Sequence, residues 1–341
     1  MEMVADASPF RYGRSVATWR DRETVTLQAA ANRRWSRYTG GMRDETEFEL
    51  MSGEWTAVVS LRGASLRALN FQDQAVVAGY RGTANKQGGQ GDVLIPFPGR
   101  VAGGRYRWDG LDYQLAQTDK DGPNAIHGFV RNVDWVVESR TLASAAFTLR
   151  FPGAQGYPFP LTLRLEYSLD ANGLQVDCSM TNSGSHDAPV AMGFHPYFTV
   201  GSAQIDSDTL TLPFNEVLEF EQLIPTGRVQ SVDDAGFDFR AGRVIGTTKF
   251  NHCFASPTRG ADGLVRVRLN YGLRAFAVWM DESFDYVVIY TGDALPPGIA
   301  RSSIAIEPMS SATDALNHPE WGLRRLNIGS THHAQWGVTF G

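Results

Sequence analysis

From about Phe48 onward, apolar and polar residues alternate in short runs that turn residues interrupt at close intervals. Period-two alternation sends every second side chain to one face of an extended strand. Trp55-Thr56-Ala57-Val58-Val59-Ser60-Leu61 and Leu66-Arg67-Ala68-Leu69 flank a turn at Gly63. Leu161, Leu163, Leu165 and Tyr167 alternate with smaller or polar neighbours. Asp170-Ala171-Asn172-Gly173 follows, and Leu174, Val176, Cys178 and Met180 alternate again, which predicts a hairpin. Val265, Val267 and Leu269 alternate with Arg266, Arg268 and Asn270, and Phe276–Trp279 and Tyr286–Tyr290 read as further strands. No long amphipathic helix occurs after residue 48. The pattern predicts an all-β fold, a single large antiparallel β-sandwich over residues 48–341. No repeat, low-complexity tract or linker divides it.

Residues 1–47 read differently. Up to residue 45 there is no clear period-two pattern, and arginine recurs at 11, 14, 20, 22, 33, 34, 37 and 43. Leu27, Ala30, Ala31 and Arg34 have helical spacing, so a short helix over 21–35 is one expectation. The other is a loosely ordered N-terminal extension, since termini are ordered only when something ties them down. Upstream sequence ahead of an internal start at Met42 or Met51 would look the same.

Composition narrows the function classes. An apolar fraction of 43% and an aromatic fraction of 11% suffice for a large packed core. A formal net charge of −6 argues against nucleic acid or an anionic membrane as partner. No apolar run approaches the ~18 residues of a membrane helix, and the start Met-Glu-Met-Val-Ala-Asp lacks the basic and apolar regions of a secretory signal. A cytoplasmic location is expected. Cys178 and Cys253 stand in unrelated contexts and read as reduced core thiols. The histidines are dispersed apart from His332-His333, which reads as a solvated pair, so no metal site is expected. Gly99, Gly103 and Gly104 do not have dinucleotide-binding spacing, and Ser310-Ser311 lack the setting of a nucleophile elbow. No cofactor is expected.

The candidate chemistry lies in four segments. In Gly193-Phe194-His195-Pro196-Tyr197-Phe198 and Ile306-Glu307-Pro308-Met309, a titratable residue precedes a proline. A residue before proline is pushed towards extended backbone, so both side chains are expected at strand ends. Glu307 follows an apolar strand, and burial of its carboxyl would raise its pKa towards the range of a useful base. His195 has the aromatic neighbours of a sugar-sized pocket. Ile95-Pro96-Phe97-Pro98-Gly99-Arg100-Val101 fixes a guanidinium in a proline-constrained loop, where it could grip hydroxyl oxygens or simply pair with a nearby acid. Asn124-Ala125-Ile126-His127-Gly128-Phe129-Val130-Arg131 sets a histidine in a turn, a position more often structural than functional.

Taken in order, these segments resemble the aldose 1-epimerase (galactose mutarotase) family. The likeness continues through Gly104-Arg105-Tyr106-Arg107-Trp108-Asp109-Gly110, Trp135, Ile224-Pro225-Thr226-Gly227, Phe250-Asn251-His252-Cys253-Phe254, Tyr290-Thr291-Gly292-Asp293 and Asp314-Ala315-Leu316-Asn317. It covers roughly residues 48–341, and the order of the motifs is more specific than any one of them. The resemblance implies a galactose mutarotase-like supersandwich and cofactor-free interconversion of α and β sugar anomers. It implies His195 as general acid, Glu307 as general base, and Arg100 and His127 as holders of sugar hydroxyls. Asn251 stands where the family usually has aspartate; it keeps an acceptor oxygen but loses the charge, which bears on which sugar is held. Gly99 replaces a commonly seen asparagine.

The implied reaction is ring opening by paired proton transfers, with a bell-shaped pH profile if His195 keeps an ordinary pKa near ~6.5. The expected partner is a small-molecule aldose. Two rival readings share the scaffold: a non-catalytic sugar-binding or sugar-sensing protein, and a hexose-phosphate epimerase, which would want extra basic residues at the pocket mouth.

Overall fold

The computed structural model describes residues 46–80 and 85–340. The expected helix over 21–35 and the extension up to residue 45 lie outside those residues.

Two large antiparallel sheets dominate. The twelve-stranded sheet runs in the order Glu47–Ser52, Trp55–Ser60, Ser65–Phe71, Gln74–Val77, Tyr197–Phe198, Ile304–Met309, Tyr286–Tyr290, Asn251–Pro257, Phe214–Glu221, Ile224–Ser231. Gly193–His195 joins it beside Ile304–Met309, and Asp92–Leu94 pairs with Gly193–His195 in turn. The nine-stranded sheet runs Val136–Arg140, Ser144–Phe151, Leu161–Leu169, Gly173–Asn182, Thr331–Phe340, Arg274–Met280, Val265–Tyr271, Thr209–Thr211, Arg243–Val244. Among the described residues the helices are short 3-10 turns, and none is long and apolar enough to cross a membrane. The all-β antiparallel sandwich is therefore what the alternation predicted.

The predicted hairpin has the register Leu165↔Cys178, and Leu161, Leu163, Leu165, Tyr167 and Leu169 all face the core. The turn closes because the Asp170 carboxylate accepts hydrogen bonds from the Asn172 and Gly173 amides at 2.7 and 3.1 Å. Gly173 is required there, since a Cβ would run into the Val338 carbonyl oxygen of the neighbouring strand. Such buried leucines each contribute about 1.5–3 kcal/mol through burial.

One continuous apolar core fills the space between the sheets. Aromatic contacts bridge it: Phe48 meets Phe147 at 5.4 Å, Phe198 meets Phe276 at 5.4 Å, and Phe194 meets Trp336 at 5.3 Å. Tyr167 donates its hydroxyl across the gap to the Ala64 carbonyl at 2.7 Å. Cys178 and Cys253 are both buried free thiols, in different sheets.

Two local expectations need correction. Glu307 lies inside the strand Ile304–Met309 and not at its end; Pro308 is in register with Val287, and the strand continues to Met309. Pro308 falls opposite Phe194, between the Ile306 and Ser310 amides, which donate to the Pro196 and Met192 carbonyls at 3.3 and 2.9 Å, so the proline removes a single rung of that ladder. His332-His333 is not a solvated pair. Strand alternation turns His332 inward and His333 outward, and burial pushes the His332 pKa down to about 4.

Trp336 backs the strand that carries His195. Trp336→Ala is expected to lower the unfolding free energy by about 3–5 kcal/mol in a urea titration. A loss under ~1 kcal/mol would contradict its role in bridging the sheets.

Candidate active site

The sheet register brings His195 and Glu307 together. On one side of Pro196, Gly193 is opposite Met309; on the other, Tyr197 is opposite Ala305. Counting inward from either end sets His195 directly across from Glu307, and residues directly opposite in an antiparallel pair project from the same face. The row extends in both directions: Glu307 is opposite Val288, Val288 opposite Cys253, and His195 opposite Asp92. Alternation sends the neighbours Phe194 and Ile306 into the sandwich core. His195 and Glu307 emerge on the other face, where a smaller apolar cluster including Cys253, Val288 and Met309 forms the floor around them. His195 Nε2 and Glu307 Oε1 are 3.3 Å apart, with 6% and 2% of the two residues exposed.

Arg100 and His127 arrive together on one small ribbon. Arg100–Val101 pairs with Ala125–Ile126, in register Arg100↔Ile126. His127 follows at φ +63°, and its amide donates to the Gly99 carbonyl at 2.9 Å. The Gly99 amide in return donates to His127 Nδ1 at 3.2 Å, which leaves Nε2 as the protonated nitrogen of the neutral ring. Gly128, at φ +64°, passes so close to Ile95 that any Cβ would strike its carbonyl oxygen. The His127 and His195 rings meet edge to face at 5.5 Å.

Arg100 is both pocket group and ion-pair partner. Its Nε lies 2.7 Å from Asp119 and its Nη2 3.5 Å from Asp121. Asp119, with 2% of its side chain exposed, also accepts from Asn124 at 3.2 Å. The guanidinium is thereby held in one orientation.

These groups line a single cavity of about 610 Å³, within the ~300–1,000 Å³ range of small-molecule sites. Asn251 lies on its rim, opposite Tyr290 in the sheet. The Asn251 amide donates to His252 Nδ1 at 3.1 Å, and His252 packs on Phe237 at 4.4 Å. Thr313 sits against Gly99, where a Cβ would collide with its hydroxyl.

Burial governs the electrostatics. It pushes the Glu307 carboxyl well above the usual carboxylate range, against the pull of Arg100. It pushes the His195 imidazole down to about 3, and the nearby Arg131 and Lys86 add to that. His127 is held well below an ordinary histidine by burial first, then by His195, Arg131 and Arg100. Burial thus disfavours the charged forms of Glu307, His195 and His127 alike.

All five residues singled out in the sequence line this cavity. Sequence reasoning missed the acids that hold the cations: Asp119 and Asp121 fall in a charged run that looks solvated, and Asp92 stands among glycines with no periodic signal. Tyr290, His252 and Arg131 belonged to quoted motifs but had no assigned place.

A sequence model of the family described as aldose 1-epimerase matches residues 47–338. The uncharacterized protein YihR of Escherichia coli K12 is 32% identical over 269 residues, covering 79% of this chain and 85% of that protein. Galactose mutarotase of Bos taurus is 28% identical over 322 residues, covering 85% of this chain and 92% of its own length. The crystal structure of an aldose epimerase homologue from C. elegans superposes with a TM-score of 0.77 at 20% identity, over 86% of this chain and 98% of that one. At that identity the structural likeness speaks to the fold.

The burial argument has a direct spectroscopic consequence. In the ligand-free protein, the His195 imidazole is expected to stay neutral down to about pH 5, as followed by nitrogen-15 NMR of the ring. A titration midpoint near the ordinary ~6.5 would contradict it.

Proposed function

The chain belongs to the aldose 1-epimerase family, and from that premise we propose that it interconverts the α and β anomers of a free aldohexose by opening and reclosing the sugar ring. The observation that carries this reading is the His195–Glu307 contact of 3.3 Å inside a cavity that also holds Arg100 and His127.

Glu307 acts as general base and His195 as general acid. The pair's proton first passes from Glu307 to His195 Nε2 across their contact. The resulting carboxylate takes the proton from the anomeric hydroxyl, the C1–O5 bond breaks with its electron pair passing to O5, and His195 Nε2 delivers its proton there. The product is the open aldehyde. Rotation about C1–C2 presents the other carbonyl face, and the reverse transfers close the opposite anomer. At ring opening the mobile proton leaves the imidazole and another arrives on the carboxyl, so the pair holds one proton throughout. The direct contact lets that proton return without solvent. Each positioned acid or base supplies about 10²–10⁴-fold.

Arg100 serves twice in this scheme. It donates to sugar hydroxyl oxygens, and its charge favours the ionised form of Glu307. His127, capped at Nδ1, presents an N–H donor from Nε2. Asn251 offers an uncharged amide at the rim, which can both donate to and accept from a hydroxyl.

The pH dependence follows from the shifts and their signs. A second proton on the pair removes the base, and loss of the shared proton removes the acid. Burial lowers the His195 pKa and raises that of Glu307. The acid limb of kcat/KM is therefore expected below the ordinary histidine value of ~6.5 and the basic limb above the carboxylate range. This corrects the expectation of an unperturbed histidine.

Polarimetry of freshly dissolved α-D-glucose or α-D-galactose tests the reaction. Micromolar protein is expected to accelerate mutarotation above buffer, and Glu307→Gln and His195→Asn are each expected to slow it at least ~10²-fold with the fold retained. Calorimetric binding of the sugar without acceleration would replace the reading with that of a sugar-binding protein.

A second reading, an epimerase for a phosphorylated hexose, is favoured by Arg131 and Lys120 on the cavity wall. Arg100 and Arg131 already have aspartate partners, so the free hexose is expected to be the better substrate. A kcat/KM for glucose 6-phosphate at least tenfold above that for glucose would reverse that ranking.

A further inference from the structure

His195 has a carboxyl on either side of it in the sheet. Glu307 is one and Asp92, opposite it on the strand Asp92–Leu94, is the other. The reaction gives Asp92 no role, yet it is 3% exposed and bound by two cations, Lys86 and Arg131. Removing one partner from such a buried pair leaves an uncompensated charge.

The three residues come from two segments that both bear on the histidines. Arg131 follows the turn that carries His127. Lys86 and Asp92 stand at the two ends of a glycine-rich loop, so their ion pair closes that loop. Lys86 is further held by the Ser65 hydroxyl at 3.3 Å.

The loop between Lys86 and Asp92 lies on the His195 ring and on its neighbour Tyr197. The Gly91 amide donates to the His195 carbonyl at 2.9 Å, the Asp92 amide to the Gly89 carbonyl at 2.9 Å, and the Tyr197 hydroxyl to the Gly88 carbonyl at 2.9 Å. Gly89, at φ +76°, passes so near that a Cβ would lie 3.2 Å from His195 Cδ2. Tyr197 stacks on the imidazole from another side at 5.2 Å. The ring is thus held by backbone contacts whose loop is fastened by one carboxylate.

We propose that Asp92 is a positioning residue for His195: through Lys86 and Arg131 it fastens the glycine loop over the imidazole and balances two cations beside it. The reaction consequence rests on the reading of His195 as the acid; the structural consequence does not. The titratable or charged groups that face His195 are Glu307, Asp92, Tyr197, His127, Arg131 and Lys86.

Asp92 variants of the full chain test this with two readouts, kinetics by polarimetry and the His195 imidazole by NMR. Asp92→Asn is expected to cut kcat about tenfold to a hundredfold through misplacement of the acid, with KM changed less than about threefold. It leaves both cations unbalanced, so the acid limb and the His195 titration move to lower pH. Lys86→Met removes a cation and is expected to move both to higher pH. Loop damage alone would not give shifts of opposite sign.

The double variant Asp92→Asn/Lys86→Met restores the charge count, and its limb is expected to return towards that of the wild type. If Asp92→Asn fails to fold, Lys86→Met and the double variant carry the same test. Wild-type kcat and unchanged His195 resonances in Asp92→Asn, or shifts of the same sign in the two single variants, would overturn the proposal. If the wild type proves to have no epimerase activity, the NMR shifts alone decide it, separately from the failure of the catalytic reading.

Discussion

The rung on which His195 faces Glu307 is the constraint from which the other features of the site follow. Two titratable side chains share it, almost entirely out of water, on the face of a sheet whose other side is packed against aromatic core. Neither ionises readily alone in such a place, because burial penalises both charged forms. Held 3.3 Å apart, they can share one proton. That arrangement requires a sheet that does not slip, since a shift of one residue would send both side chains to the opposite face. The Phe194–Trp336 contact behind the rung and the regular registers on either side of Pro196 oppose that slip.

The interruption at Pro196 is equally part of the constraint. On the flank of the central strand Ile304–Met309 the Ile306 amide still donates to the Pro196 carbonyl and the Ser310 amide to that of Met192, and Pro308 omits only the rung between them, beside Glu307. The two prolines that drew attention in the sequence are thus complementary features of one local break.

Around the pair, three cations each have a fixed acid. Arg100 is oriented by Asp119, Lys86 and Arg131 by Asp92. The cations are therefore restrained in advance, which lowers the ordering that binding of a ligand must impose. Arg100 favours an ionised Glu307, while Arg131 and Lys86 oppose a protonated His195.

Period-two alternation was enough to make the chain an antiparallel β-sandwich, because burial of one sheet face writes itself into every second residue. The Asp170–Gly173 turn was legible for a similar reason, being decided within four residues. The residue types of the site were legible too: a histidine and a glutamate each before proline, an arginine in a proline loop, a histidine before glycine. Their meeting was implied only by the family resemblance, not by the residues themselves. It depends on strand order, on the register across Pro196, and on a ribbon that sets Arg100 beside His127. The same holds for Asp92 and Asp119, whose sequence surroundings look like solvated loop, and for His332, which a neighbouring histidine made look exposed. Alternation fixes which face a residue takes within its strand, whereas burial of an isolated charge depends on which distant segment supplies its counter-ion. Local sequence specified the strands, and only the packed fold decided the partners.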